Sequence, residues 1–171
     1  MRIQAILVLV LIVALCAESF DYGVKYEARV LKVVDGDTFY AEVKGRVVKV
    51  RVLGIDTPEL IAERNRIGEY ENITNLTCLS LWGVKAKEFV RKKLEGKTVL
   101  IEFDRKAGLR DKYGRLLAYV YYPDEKADFA AILIKLGYAR VYVEGEFSKK
   151  AEYLSYENLA KKSKVGLWSC S

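Results

Sequence analysis

Two short acidic runs carry the chemistry this chain could do: Val33-Val34-Asp35-Gly36-Asp37-Thr38 and Asp56-Thr57-Pro58-Glu59, with Arg51 between them. Apolar and β-branched residues flank both, so the carboxylates sit on the ends of buried strands. Carboxylates fixed on rigid strands suit a hard, oxygen-loving cation, calcium before magnesium. Asp37 and Asp56 are the candidate ligands, Thr57 adds its carbonyl, and Glu59 reaches a nearby water. Asp35 is assigned to the turn or to a supporting role. Local rules offer a plainer reading of each run. Asp-Gly is a strong turn signal, and Asp56 with Glu59 three residues on is a capping box, with Pro58 in the first turn. A third segment, Asp111-Lys112-Tyr113-Gly114-Arg115, reads locally as a charged turn before a strand. It also supplies a second guanidinium, and planar forks from Arg51 and Arg115 could clamp one phosphate. Tyr113 could then meet a sugar or a terminal phosphate.

The 171 residues contain no histidine, which excludes serine–histidine triads, cysteine–histidine pairs and histidine-based zinc sites. Acid–base work must fall to carboxylates, lysine, tyrosine or metal-bound water. Half of the chain is apolar and the formal charge is +6. A basic surface favours polyanions, although it also serves solubility alone.

Residues 1–20 open with Arg2, run through an apolar stretch and end in small residues, the pattern of a signal peptide or N-terminal anchor. The apolar run is shorter than the ~20 residues of a membrane span. Cys16 offers a lipidation alternative, so a membrane tether through the leader stands beside plain secretion. Export permits a bridge between Cys78 and Cys170; the alternative is two small apolar side chains. Asn72-Ile73-Thr74 and Asn75-Leu76-Thr77 match the glycosylation acceptor pattern.

The elements that must position these residues follow from period and punctuation. Alternation predicts strands over 24–35, 38–43 and 47–55, the last two joined by a turn at Lys44-Gly45. In Val48-Lys49-Val50-Arg51-Val52 the valines share one face, which puts Arg51 on the polar side. Residues 60–80 lack a period and read as a surface loop. Trp82, Ala86, Phe89, Val90 and Leu94 predict a first helix ended by Gly96. Strands follow over 99–103 and 116–122. Asp128 caps a second helix with Phe129, Ile132, Leu133 and Leu136 on one face, and 148–164 reads as a third. The order predicts one α+β domain, residues 24–171, built as a five-stranded Greek-key OB-fold barrel with three α-helices.

Taken together, Val34-Asp35-Gly36-Asp37-Thr38, Arg51 with Asp56-Thr57-Pro58-Glu59, and Asp111-Lys112-Tyr113-Gly114-Arg115 with Leu117-Ala118-Tyr119 resemble the thermonuclease (staphylococcal nuclease-like) family, over roughly residues 26–168. The resemblance implies calcium held by Asp37, Asp56 and the Thr57 carbonyl. It implies phosphate-binding arginines at Arg51 and Arg115, a general base at Glu59, and Lys112 and Tyr113 near the terminal phosphate. It also implies calcium-dependent endonuclease action on DNA and RNA at the P–O5′ bond, leaving 3′-phosphates. No stable protein partner is expected, and the protein is expected to be a monomer. Departures fall in 60–80, where Arg64 and Arg66 are balanced by Glu63, Glu69 and Glu71, and around Tyr142, which stands for one of two family base-pocket tyrosines. The alternative is an OB-fold module that binds single-stranded nucleic acid without cutting. Retention of Asp37, Asp56, Glu59, Arg51 and Arg115 together argues for catalysis.

Overall fold

Alternating side chains build the core of this molecule, seen in a computed structural model that describes residues 19–122 and 127–171. The leader expected over 1–20 therefore lies outside the described residues but for its last two. No described helix is long and apolar enough to cross a membrane.

Strand β1 (Lys25–Val33) turns Ala28, Val30 and Val33 inward. A register shift between Val30 and Lys32 leaves Leu31 exposed and returns Val33 to the core. Strands β2 (Thr38–Val43) and β3 (Arg46–Val52) form the expected hairpin. Lys44 and Gly45, at φ 50° and 75°, give it the left-handed two-residue turn that matches strand twist. β3 runs parallel to β6 (Leu116–Tyr121), β6 pairs antiparallel with β5 (Thr98–Glu102), and β5 with β1. The barrel thus closes in the order β1-β2-β3-β6-β5.

The third strand is shorter than expected. It stops at Val52, because the chain turns through Gly54 at φ 86°. Ile55–Asp56 then forms β4, outside the barrel, paired antiparallel with β7 (Arg140–Val141). Asp56 is therefore at a strand end, and the capping-box reading does not hold.

Three helices complete the α+β fold: α1 (Leu76–Leu94), α2 (Phe129–Lys135) and α3 (Lys150–Lys162). Asp128 caps α2 as expected, accepting the Ala131 N–H. The buried residues of α2 are Phe129, Ala130, Ala131, Leu133 and Ile134; Ile132, expected on that face, is half-buried, and Leu136 lies past the last turn and is exposed.

The largest correction concerns 60–80. Helix α1 begins at Leu76, where the Asn75 side chain caps it by accepting the Cys78 N–H at 2.9 Å. Tyr70, Ile73 and Leu79 are buried with Ala160, Leu167 and Trp168 in a second small core. Cys78 and Cys170 are bonded beside it, their Cα atoms 5.8 Å apart. Asn72 and Asn75 remain exposed. At the other end of the chain, the Phe20 ring packs on Tyr26 and Phe103, so the packed body reaches back before β1.

One buried acid ties barrel to helices. Asp104 accepts bonds from the Tyr119 hydroxyl at 2.7 Å, the Ser148 backbone and hydroxyl, and the Lys106 N–H. Burial pushes its pKa up, but these donors outweigh burial and hold it below the ordinary value of 3.8. A depressed carboxylate adds stability that is complete above its unfolded value and lost as pH falls through its folded one. Asp104→Asn is therefore expected to cost about 1–3 kcal/mol at neutral pH. The gap from the parent, read as urea midpoints, should close as pH falls below the ordinary carboxylate range.

Candidate active site

The acidic centre is assembled across β2, β3 and β4. Asp35 closes the turn before β2 by accepting the Asp37 N–H at 3.1 Å, the turn role given it above. Asp37, 3% exposed, accepts from the Thr38 hydroxyl and Arg51 Nη1 at its Oδ1, each 2.8 Å, and from the Thr57 N–H at its Oδ2, 3.1 Å. Arg51, paired across the sheet with Thr38, bridges the two acids, its Nη2 donating to Asp56 Oδ1 at 2.7 Å. Arg115 closes the group from β6's approach: its Nε donates to Asp111 Oδ2 at 2.6 Å and its Nη1 to the Thr38 hydroxyl at 3.4 Å. A continuous polar chain, Arg115–Thr38–Asp37–Arg51–Asp56, results.

Electrostatics follow from this crowding. Burial pushes Asp37 and Asp56 above the ordinary carboxylate range. The Asp37 charge adds to the rise at Asp56, and Arg51 opposes both. Burial works against the Arg51 charge, but the two aspartates outweigh it and its pKa rises. Glu59 is raised by burial first and then by Asp37 and Asp56, with Arg64 offsetting. Asp111, although burial acts to raise it, is held low by the bonds it accepts from Arg115 and Tyr113.

Arg51 and Arg115 line one cavity of about 430 Å³ with Lys112, Tyr113, Tyr142 and Phe147. The Tyr113 ring is 72% exposed and lies under both Lys112 and Arg115, at 5.1 and 5.5 Å. Tyr142 lies against Arg51 at 5.8 Å. Val143 is exposed, and Glu144 turns to Arg140 instead of the cavity.

Three supporting residues escaped the sequence reading. Asn65, 4% exposed, clips Glu59 in place: it accepts the Glu59 N–H at 2.9 Å and donates to the Glu59 carbonyl at 3.1 Å. Arg140, 5% exposed, reaches Asp56 Oδ2 from β7 with its Nη2 at 3.0 Å. Glu157 on α3 accepts the Val141 N–H at 2.7 Å and so fixes β7. Only Arg140 left a trace in the sequence, as a lone charge inside the apolar run 138–143. Helix α1 supports Glu59 from behind. A Cβ on Gly83 would lie 2.4 Å from the Pro58 carbonyl oxygen and 2.7 Å from that of Glu59. Gly83→Ala must push that backbone aside. A loss of about 1–3 kcal/mol is expected, measurable as a lower urea midpoint.

Among the described residues no three acidic or cysteine side chains converge as a ready metal cluster. The two carboxylates that Arg51 joins, Asp37 and Asp56, offer hard oxygens, and the Thr57 backbone reaches Asp37 through its N–H. The like-charge strain between Asp37 and Asp56 is what a divalent cation relieves, so the residues fit one.

A closed five-stranded barrel with this acid–arginine centre defines an OB-type domain built around a charged site. More narrowly, the chain belongs to the staphylococcal nuclease homologue family, whose pattern it matches over residues 49–170. It is 48% identical over 153 residues to an uncharacterized protein of Methanocaldococcus jannaschii, covering 85% of this chain and 73% of that one. It is 37% identical over 111 residues to a thermonuclease of Staphylococcus intermedius, covering 65% and 56%. A prophage-derived endonuclease of Bacillus subtilis is 34% identical over 140 residues, covering 81% and 42%. The chain thus spans 42% to 73% of the length of these three relatives.

Proposed function

We propose that this protein is an exported, calcium-dependent nuclease that hydrolyses phosphodiester bonds in DNA and RNA. The observation that carries the reading is that Arg51 and Arg115 line one cavity, with Arg51 also gripping both candidate metal carboxylates. The thermonuclease and endonuclease relatives support it. Asp37, Asp56 and the Thr57 carbonyl would hold the cation. When bound, it supplies a positive charge beside the phosphoryl group and polarises its oxygen.

The chain's own residues do the rest. Glu59, held through its backbone by Asn65, takes the proton of the attacking water; its raised pKa makes it a better acceptor than a free glutamate. The water oxygen bonds to phosphorus as the P–O5′ bond breaks, and the departing 5′-oxygen takes a proton from solvent, so the products are a 3′-phosphate and a 5′-hydroxyl. Arg51 and Arg115 take up the charge that grows on the phosphoryl oxygens. Lys112 and the exposed Tyr113, which line the same cavity, meet a terminal phosphate or sugar. Nucleic acid is the expected partner, and the enzyme acts as a monomer delivered by residues 1–20.

The decisive test is degradation of single-stranded DNA by purified protein. Calcium should be required, chelator should stop cleavage, and added calcium should restore it. Tight binding without cleavage under calcium would replace this reading with the non-catalytic binding module.

A further inference from the structure

Asp56 has two guanidinium partners, one on each oxygen. Arg51 donates to Oδ1, and Arg140 donates to Oδ2 through Nε at 3.2 Å, with Nη2 at 3.0 Å. The two differ in their freedom to leave. Arg51 lines the cavity, and a guanidinium that turns its fork to a phosphate gives up the carboxylate it held. Arg140 does not line that cavity. It stands directly opposite Asp56 in the β4–β7 pair. Its Nη1 and Nη2 bond Glu144 at 3.1 Å each, and Glu69 lies 3.7 Å away. The Tyr70 and Tyr142 rings flank its guanidinium at 5.4 and 5.9 Å. β7 is itself anchored, with the Val141 N–H on buried Glu157 and the Tyr142 N–H on the Gly54 carbonyl at 2.9 Å.

We infer that Arg140 is the positioning residue of Asp56: it keeps the carboxylate aimed as a cation ligand when Arg51 turns to the substrate phosphate. This rests on the function proposed above. Arg140 acts through Asp56 and touches no substrate, so its signature is metal affinity and not substrate affinity.

The sign of the effect separates orientation from simple charge. By Coulomb's law alone, removing a nearby positive charge tightens a divalent cation. Loss of an orienting partner instead weakens metal binding, typically about 10–100-fold. Calcium alone should be titrated calorimetrically into the parent, Arg140→Met and Arg140→Lys, alongside kcat and KM on a single-stranded oligonucleotide. Calcium affinity should fall about 10–100-fold in Arg140→Met and by less in Arg140→Lys. Saturating calcium should recover most of kcat, and KM should stay at the parent value. Unchanged or tighter calcium binding in a folded variant would overturn the inference, even if the melting temperature drops. Should Arg140→Met fail to fold, Arg140→Lys decides by the same criterion. A parent protein that binds no calcium would remove the metal reading and this inference together, whereas normal parent binding with unaffected variants removes only the latter.

Discussion

Replacing Arg51 with lysine should lower turnover by about 10²–10³ while the protein stays folded. A preorganised donor aimed at developing charge is worth about 3–4 kcal/mol of barrier, and an ammonium cannot reproduce the two-pronged grip of a guanidinium. Here the fork has a double duty, since its two nitrogens separately hold Asp37 and Asp56. Lysine keeps a positive charge between those acids, so the centre stays neutralised. Alanine does not. Arg51→Ala leaves buried Asp37 without its ion-pair partner while Asp56 keeps only Arg140, and breaking such a pair costs about 3–5 kcal/mol. The paired variants should therefore separate chemistry from folding: Lys loses kcat with a near-parent urea midpoint, Ala loses both. Parent-like turnover in purified Arg51→Lys would remove Arg51 from the catalytic roles.

Breaking the Cys78–Cys170 bond should have the largest effect on stability. The bridge closes 92 residues of sequence separation, worth about 4–5 kcal/mol on the chain-entropy account. Its position adds to the loss, because it holds the start of α1 against the end of the chain beside the Tyr70–Trp168 cluster. For a chain of this size about 4 kcal/mol corresponds to a fall of roughly 8–16 °C in melting temperature. Paired Cys78→Ser and Cys170→Ser variants, and the parent in reductant, should melt at the same lowered temperature. A reduced parent that melts like the oxidised one would show that the bridge adds nothing.

How much of this was legible in sequence depends on how local the determinant is. β2 and β3 and the turn between them follow from alternation and one left-handed pair, both contained within a dozen or so residues. The acid runs, Arg51 and Arg115 announce themselves by type and spacing, and the structure brings them together. Residues 60–80 defeated the local reading because the start of α1 is set by the Asn75 side chain and its buried stripe begins only at Leu79, with a glycine, Gly83, as its next member. Its apolar members find their partners about ninety residues away, at Ala160, Leu167 and Trp168. Arg140 showed only as a lone charge in an apolar run, its partner Asp56 lying 84 residues away, while Asn65 and Glu157 read as ordinary polar residues until the fold brings them to the Glu59 backbone and the Val141 amide.

The break at Gly54 has a consequence of its own. It divides one continuous run of chain between two sheets, leaving Arg51 in the barrel and sending Asp56 to the β4–β7 ribbon that α3 braces. The Arg51–Asp56 contact is therefore a stitch across the seam between two halves of the molecule. A site sewn across a seam reports on it: slight parting of the ribbon would pull Asp56 from Asp37 while every barrel strand kept its partners. Activity should then vanish at milder denaturant than barrel structure does, so the enzyme would switch off well before it falls apart.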